Sequence, residues 1–331
     1  MRKRILVTGA LGFVGDHLCR ELLRSGHEIF GCDLECATER PGGTGVPFAT
    51  RACDVSDAGA VAALVSEVRP SAVFHLAAQS SASRAFVQPR ETFLVNALGT
   101  QNLFEAVREH CPESLVLVVS SGEIYGPQEP GSRPATEETP VVPVSPYALS
   151  KVVQDMLALQ YWKSHRIKTV RARPFNHTGP GQTATFALPN FARQIAMAET
   201  GRCDPVIEVG NLEAVRDFLD VRDVVRAYLL LLEHGTPGEA YNVCSGRPRS
   251  IQSLLDALLS MSKTMVTLKR VESRIRPSDI SYLVGDGSKL REQTGWEPAY
   301  RLEDTLLELL EQWRRYARQP SGSRAFEKEA R

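Results

Sequence analysis

Tyr147 and Lys151 stand four positions apart in the run Ser145-Pro146-Tyr147-Ala148-Leu149-Ser150-Lys151. That spacing puts both side chains on one face of a helix, and serine followed by proline reads as its cap and first helical position. A free phenol has a pKa of about 10, too high for ready proton exchange near neutrality. A neighbouring ammonium favours the phenolate, which makes Tyr147 a usable general acid or base. A second group comes from Ser120-Ser121-Gly122-Glu123-Ile124-Tyr125-Gly126, directly after an apolar run at 115–119. A hydroxyl at the carboxyl end of a buried parallel strand lies where α/β sheets bind ligands. There Ser121 can steady a reacting oxygen as charge develops on it, and Glu123 brings a carboxylate to the same turn.

A different chemistry is written in Thr8-Gly9-Ala10-Leu11-Gly12-Phe13-Val14-Gly15. Glycine at 9 permits a tight turn, at 12 it lets backbone approach a diphosphate, and at 15 it lets helix and strand pack closely. Amides at a helix start then face the negative charge. Asp33, at the end of the next strand-like run, can accept hydrogen bonds from adenosine ribose hydroxyls and would repel a 2′-phosphate. Leu34 and Glu35 follow it, so no adjacent arginine is offered to that phosphate. NAD(H) is therefore the expected cofactor, with NADP(H) the alternative. Asp54 and Val55, after another short strand, would hold the adenine edge, and Ala77, Ala78 and Asn96 would line the same groove.

The elements that must position these groups alternate. Strands are expected at 4–8, 28–32, 72–76, 115–120 and 168–173, and helices at 14–25, 61–68, 92–109 and 146–165. Strands separated by helices imply βαβ units and a parallel sheet covered on both faces, and the continuous apolar run at 115–119 suits a strand buried on both sides. After Pro174 the texture changes. Glycine, proline and asparagine cluster at 176–182, followed by expected helices at 188–199, 221–233, 250–261 and 302–317, with strand-like pieces at 205–209 and 240–243. The fold class is thus α/β: a Rossmann-type doubly wound parallel sheet over 1–174, to which a stretch around 216–245 returns. A smaller, interleaved substrate-binding domain spans 175–318, with a frayed polar tail at 319–331.

Composition bounds the function. The 331 residues hold 39 Lys plus Arg against 39 Asp plus Glu, so no overall field draws the chain to nucleic acid. Apolar residues make up 43% without any run long enough to span a membrane. The seven cysteines are odd in number and scattered. Cys32 and Cys36 lie close together, but no second pair or nearby histidine completes a metal cage. A cytoplasmic protein with reduced thiols and no metal is expected.

In order and context, the glycine loop, Ser121 and the Tyr147–Lys151 pair resemble the extended short-chain dehydrogenase/reductase family, across essentially the whole chain. Three further segments, Arg173-Pro-Phe-Asn-His-Thr-Gly-Pro-Gly-Gln182, Gly210-Asn-Leu-Glu-Ala-Val-Arg-Asp-Phe218 and Arg276-Pro-Ser-Asp279, resemble its GDP-mannose 4,6-dehydratase branch. Together with Asn242-Val-Cys-Ser-Gly246, the first of these is most similar to the GDP-6-deoxy-4-ketomannose reductases, which make GDP-D-rhamnose. The resemblance implies that Ser121 and Tyr147 bind the C4 keto oxygen, that Tyr147 gives the proton and that Lys151 also holds the nicotinamide ribose. It implies that Asn176, Arg216 and Arg276 hold a GDP-linked 6-deoxy sugar, the arginines forking onto its diphosphate. Counted with these are Phe13, Val14, Leu76, Pro174 and His177 toward the cofactor, and Ser80 and Glu123 toward the substrate. In this family the helices around 92–109 and 146–165 would form a homodimer, or part of a tetramer.

Two alternatives stay open. In 4,6-dehydratases a glutamate at the place of Glu123 takes a proton from C5. Ser121-Gly122-Glu123 lacks their Thr-Ser-Glu pattern, which tilts toward reduction, whereas Asp33 is the acid common in enzymes that recycle NAD. The other is a dinucleotide-binding module without catalysis, which has no need of a tuned phenol.

Overall fold

The protein is described here as a computed structural model covering residues 2–35, 50–274 and 280–319. Its centre is a seven-stranded, all-parallel sheet. The strands are β1 (Arg4–Thr8), β2 (Glu28–Asp33), β3 (Thr50–Ala52), β4 (Ala72–His75), β5 (Leu115–Val119), β6 (Thr169–Pro174) and, much later in the chain, β10 (Ala240–Val243). They lie in the order β10-β6-β5-β4-β1-β2-β3. The order reverses at β1, and the crevice outside the strand ends at such a switch point is where doubly wound sheets bind ligands.

Helices cover both faces because the strands are apolar on both. One face carries α1 (Phe13–Arg24), α8 (Val221–His234) and α10 (Ser288–Thr294), where Leu18, Leu22, Tyr228, Leu231 and Leu290 pack on Ile5, Val7 and Phe74. The other carries α2 (Ala58–Val68), α5 (Gly99–His110) and α6 (Pro146–His165), where Val61, Val65, Leu103, Phe104 and Tyr161 meet Leu6, Val73, Val116 and Val118. Asp57 caps α2 by accepting from the amides of Gly59 and Ala60, and Ser145 caps α6 by accepting from that of Ala148.

One expected helix carries a bulge. The stretch expected at 92–109 is helical throughout, as α4 (Pro89–Phe93), a π-turn at Leu94–Leu98 and then α5, with a separate short α3 (Ala82–Val87) before it. The widened turn carries Asn96 inward, where its amide donates to Ser150 Oγ at 2.9 Å and to the Gln79 carbonyl at 3.1 Å. Apolar periodicity does not register one inserted residue held by a buried polar side chain.

Beyond Pro174, β7 (Asn176–Thr178), β9 (Val215–Asp220), β11 (Pro248–Ser250) and β13 (Tyr282–Leu283) form a small sheet, and β8 (Val206–Val209) pairs with β12 (Thr267–Arg270). With α7 (Ala187–Glu199), α9 (Ile251–Ser260) and α11 (Leu302–Arg318) they enclose a separate core around Phe191, Ile195, Leu255, Leu309 and Trp313. The chain leaves this unit to supply α8 and β10 to the large sheet, whereas β9 stays in the small one. Residues 320–331 lie outside those described.

Candidate active site

A cleft of about 590 Å³ runs along the carboxyl edge of the large sheet. Its floor is the turn between β1 and α1, with Gly9, Gly12, Phe13, Val14 and Gly15 on the wall. Gly9 adopts φ +71°, and a Cβ there would sit 2.8 Å from the Ala77 amide nitrogen. A Cβ at Gly15 would run into the Gly9 carbonyl oxygen, so the helix packs on the turn only with glycine there. Gly12 caps α1 without a side-chain acceptor, which leaves the first amides of the helix available to an anion. Phe13 stacks on His177 (centroids 6.2 Å apart), and His17 bonds to the Pro180 carbonyl oxygen at 2.8 Å, docking the 176–182 segment onto α1.

On the β2–β3 side the cleft is walled by Asp33, Asp54 and Val55. The Asp33 carboxylate accepts the Leu11 amide at 3.0 Å and the Leu34 amide at 2.9 Å, which fixes it at the mouth of the glycine turn. Cys32 and Cys53 lie side by side at this end, and Cys36 lies outside the described residues. Leu76, Ala77, Ala78 and Ser80 line the middle. Bare backbone at the turn, free helix-start amides and a fixed carboxylate at the next strand's end are the features a nicotinamide dinucleotide needs, and the residues present fit that group.

The reactive groups gather on the other side. Ser121, Glu123, Tyr147, Lys151, Pro174, Asn176 and His177 share the cleft wall with the glycine turn. Ser121 caps a short 3-10 turn, its hydroxyl accepting from the Glu123 amide at 3.1 Å, and it acts on the Tyr147 phenol. Lys151 Nζ donates to the Val119 carbonyl at 2.9 Å and to Gln154 Oε1 at 2.7 Å, and it lies 6.0 Å from the Tyr147 ring centroid. Burial pulls the Lys151 pKa down to about 7.

Here the structure differs from the sequence reading. The Tyr147 phenol is pushed above its ordinary pKa, by burial first and by the Glu123 charge second, and only the Ser121 side chain works the other way. A lysine ammonium that spends two donors on other acceptors and is itself half-neutral near pH 7 does not outweigh that desolvation.

Two of the described sequence-selected residues are not on the wall. Asn96 is fully buried behind it, holding Gln79 and Ser150. It supports the groove rather than lining it, because the π-turn rotates it inward. Arg216 is half-buried on β9 and donates to the Val215 carbonyl at 2.9 Å; its register partner Leu283, not Arg216 itself, reaches the cleft. Arg276 lies outside the described residues. Sequence reasoning missed Gln79, Arg84, Glu91, Gln182, Phe186 and Leu283, which also line the cleft. Arg84 and Glu91 form an ion pair at 2.6 Å from α3 and α4, elements without a clear apolar period.

Several motif residues serve the scaffold. Asn242 accepts from Tyr125 Oη at 2.7 Å and donates to the Ala135 carbonyl at 2.9 Å. The buried Asp217 carboxylate accepts from the amides of Ser245 and Gly246, each at 2.8 Å.

With this geometry in hand, known proteins can be compared. The sequence profile described as GDP-mannose 4,6 dehydratase matches residues 6–309. The chain is 35% identical over 313 residues to GDP-6-deoxy-D-mannose reductase from Pseudomonas aeruginosa, covering 95% of this chain and 98% of that protein. It is 27% identical to GDP-mannose 4,6-dehydratase from Yersinia enterocolitica, covering 93% of each. Among solved structures, RMD from Pseudomonas aeruginosa complexed with NADPH superposes with a TM-score of 0.82 at 34% identity, over 95% of this chain and 100% of that one.

Proposed function

This chain belongs to the GDP-mannose 4,6-dehydratase family, and we propose that it is a nucleotide-sugar 4-reductase that converts GDP-4-keto-6-deoxymannose to GDP-D-rhamnose. The observation that carries the reading is the convergence of Ser121, Tyr147 and Lys151 on one cleft with the glycine turn. When bound, a nicotinamide dinucleotide supplies the hydride for C4. Ser121 and Tyr147 hold the C4 oxygen and polarise the carbonyl, and Tyr147 gives that oxygen its proton as the ketone becomes an alcohol. Lys151, beside the phenol, holds the cofactor's ribose. Asn176, on the same cleft wall, is assigned to the sugar nucleotide.

Tyr147 starts protonated, the state from which a reductase must donate, although burial makes it a weaker acid than a free phenol. A dehydratase must begin by taking a proton from the sugar. The higher identity to the reductase than to the dehydratase supports the same choice. Asp33 favours NAD(H) over NADP(H), since its fixed carboxylate repels a 2′-phosphate. The chain is taken to work in the cytoplasm; among the described residues no helix is long and apolar enough to cross a membrane. A homodimer through α5 and α6 accounts for the exposed Leu98, Leu149 and Met156, and sedimentation equilibrium tests it.

The experiment that tests the function adds GDP-4-keto-6-deoxymannose with NADH, or with NADPH, and follows coenzyme oxidation. Stoichiometric oxidation with formation of the C4-hydroxy product is expected. Conversion of GDP-mannose without added coenzyme would instead establish the dehydratase.

A further inference from the structure

Behind Lys151 lies a run of buried polar side chains that the reaction as described does not use. Gln154 Nε2 donates to Thr100 Oγ1 at 2.8 Å, while Gln154 Oε1 accepts from Lys151. Thr100 Oγ1 also contacts the Asn96 carbonyl at 2.6 Å and His75 Nε2 at 2.9 Å. His75 Nδ1 lies 2.8 Å from Thr8 Oγ1, and Thr8 Oγ1 accepts the Ala77 amide at 3.2 Å. Thr8, His75, Thr100 and Gln154 are each no more than 2% exposed.

The donors and acceptors can be assigned by counting protons. The single hydroxyl proton of Thr100 goes to the Asn96 carbonyl, which has none to give. Thr100 Oγ1 must then accept from both Gln154 Nε2 and His75 Nε2. His75 is thereby the Nε2–H tautomer, its bare Nδ1 accepting from Thr8. Burial first, and the Lys151 charge second, hold the His75 pKa down to about 3, so the ring stays neutral and keeps this arrangement. The Gln154 amide cannot flip without setting an N–H against the Lys151 ammonium. Its oxygen is locked toward Nζ.

We propose that Gln154 is a positioning residue for the catalytic lysine, its amide oriented through Thr100 and His75 by Thr8, the last residue before the glycine turn. An ammonium has three donors. The Val119 carbonyl and Gln154 Oε1 take two of them, in fixed directions, so the third is aimed into the cleft. If the amine loses its proton, the same two acceptors take both remaining hydrogens and the lone pair faces the cleft instead. The network thus fixes which way Lys151 points in either state, and ties that aim to the strand that ends in the cofactor turn. The chain closes on a backbone amide, so it holds a proton pattern and does not conduct to solvent.

The consequence for catalysis rests on the proposed reductase reading, whereas the consequence for Lys151 does not. Among the described residues, Tyr147 on its own helix and His75 on β4 lie near Nζ, and Tyr228 on α8 shares the cleft and is acted on by Tyr147. Glu123, from the turn after β5, acts on Tyr147, and Asp155 on α6 is turned away to Arg171 and Arg173. The test follows the 13Cε resonance of Lys151 against pH in the full-length protein without cofactor or substrate. Gln154→Met removes the acceptor and should lower the Lys151 midpoint, and Gln154→Glu should raise it by about one pH unit or more. Thr100→Val leaves Gln154 in place but frees its amide, and should shift the midpoint in the same direction as Gln154→Met. In turnover, Gln154→Met should lower kcat about tenfold with KM for the keto sugar nearly unchanged. Midpoints identical to wild type in Gln154→Met and Thr100→Val would overturn the proposal, whether or not Gln154→Glu folds. Absence of keto-sugar reduction by the wild type, with the midpoints shifting as stated, would overturn only the reductase reading.

Discussion

Lys151 rises one turn beyond Tyr147 on α6, its ammonium 6.0 Å from the phenol ring centroid yet committed to the Val119 carbonyl and Gln154. The two residues therefore share a face and a cleft without a direct bond between their reactive atoms. Ser121, in the turn after β5, is the side chain that acts to lower the phenol's pKa against burial. The serine shares the cleft wall with the acid, and the lysine is held beside it by the sheet and by Gln154.

Removing the phenolic oxygen separates chemistry from binding. Tyr147→Phe keeps the ring in the wall and takes away the proton donor. Turnover of the keto sugar is expected to fall about 10²–10⁴-fold, the usual range for a lost general acid. NADH affinity, measured by fluorescence titration, should stay within about twofold, because the glycine turn and Asp33 are untouched. Residual turnover near the wild-type value would remove Tyr147 from the mechanism.

The buried lysine gives a pH signature in stability. Its pKa in the folded protein is lowered to about 7, by burial, from an ordinary 10.5. Between those two values the unfolded chain binds the extra proton, so unfolding becomes harder as pH rises, by at most about 1.4 kcal/mol per pH unit from this group. Below about pH 7 the contribution of this group is flat. Lys151→Met abolishes it. Urea midpoints at pH 7 and pH 9 should therefore show wild type gaining on Lys151→Met as pH increases, and a constant gap would contradict the burial argument.

How much was legible in the sequence follows from what kind of force places each residue. Gly9, Ser121, Tyr147 and Lys151 could be located because each is fixed by local geometry, a turn or a helix face, beside a strand whose apolar run is unmistakable. All four line the cleft. Asn96 was expected on the wall, but it sits in the π-turn, fully buried behind it, a placement that apolar spacing does not encode. Arg84 and Gln154 carried no signal. The first sits on a six-residue helix, and the second, three residues from Lys151, is oriented by Thr100, 54 residues away in the chain. The direction of the Tyr147 shift was misjudged for a related reason, since charge proximity can be read from spacing and desolvation cannot.

Coenzyme choice should turn on Asp33. Its carboxylate is held by the Leu11 and Leu34 amides, so it cannot swing away from an incoming 2′-phosphate. Asp33→Ser removes the repulsion and the acceptor for the ribose hydroxyls. The ratio of Kd for NADPH to that for NADH should fall about tenfold or more, equivalent to about 1.4 kcal/mol. Wild type that binds NADPH more tightly than NADH would remove this residue from the selection.

Asp155 offers the sharpest test of what holds α6 in place. It is fully buried and accepts from Arg171 Nη1 at 2.7 Å and from Arg173 Nε and Nη2 at 2.9 Å each, so α6 is pinned to β6. Arg173 in turn reaches Tyr125 Oη at 2.9 Å and, through it, Asn242 on β10. Burial alone would raise the Asp155 pKa, but the two guanidiniums overcome it and hold the carboxyl below its ordinary value of 3.8. Asp155→Asn leaves two buried arginines without a counter-charge and should cost about 3–5 kcal/mol at pH 7. Because the folded-state pKa is the lower one, the stabilisation is complete above the ordinary value and is lost as pH falls through and below it. Denaturant unfolding of wild type and Asp155→Asn should show the full gap at pH 7 and a narrowing one below about pH 4. A gap that widens on acidification would mean that Asp155 is not held as an anion.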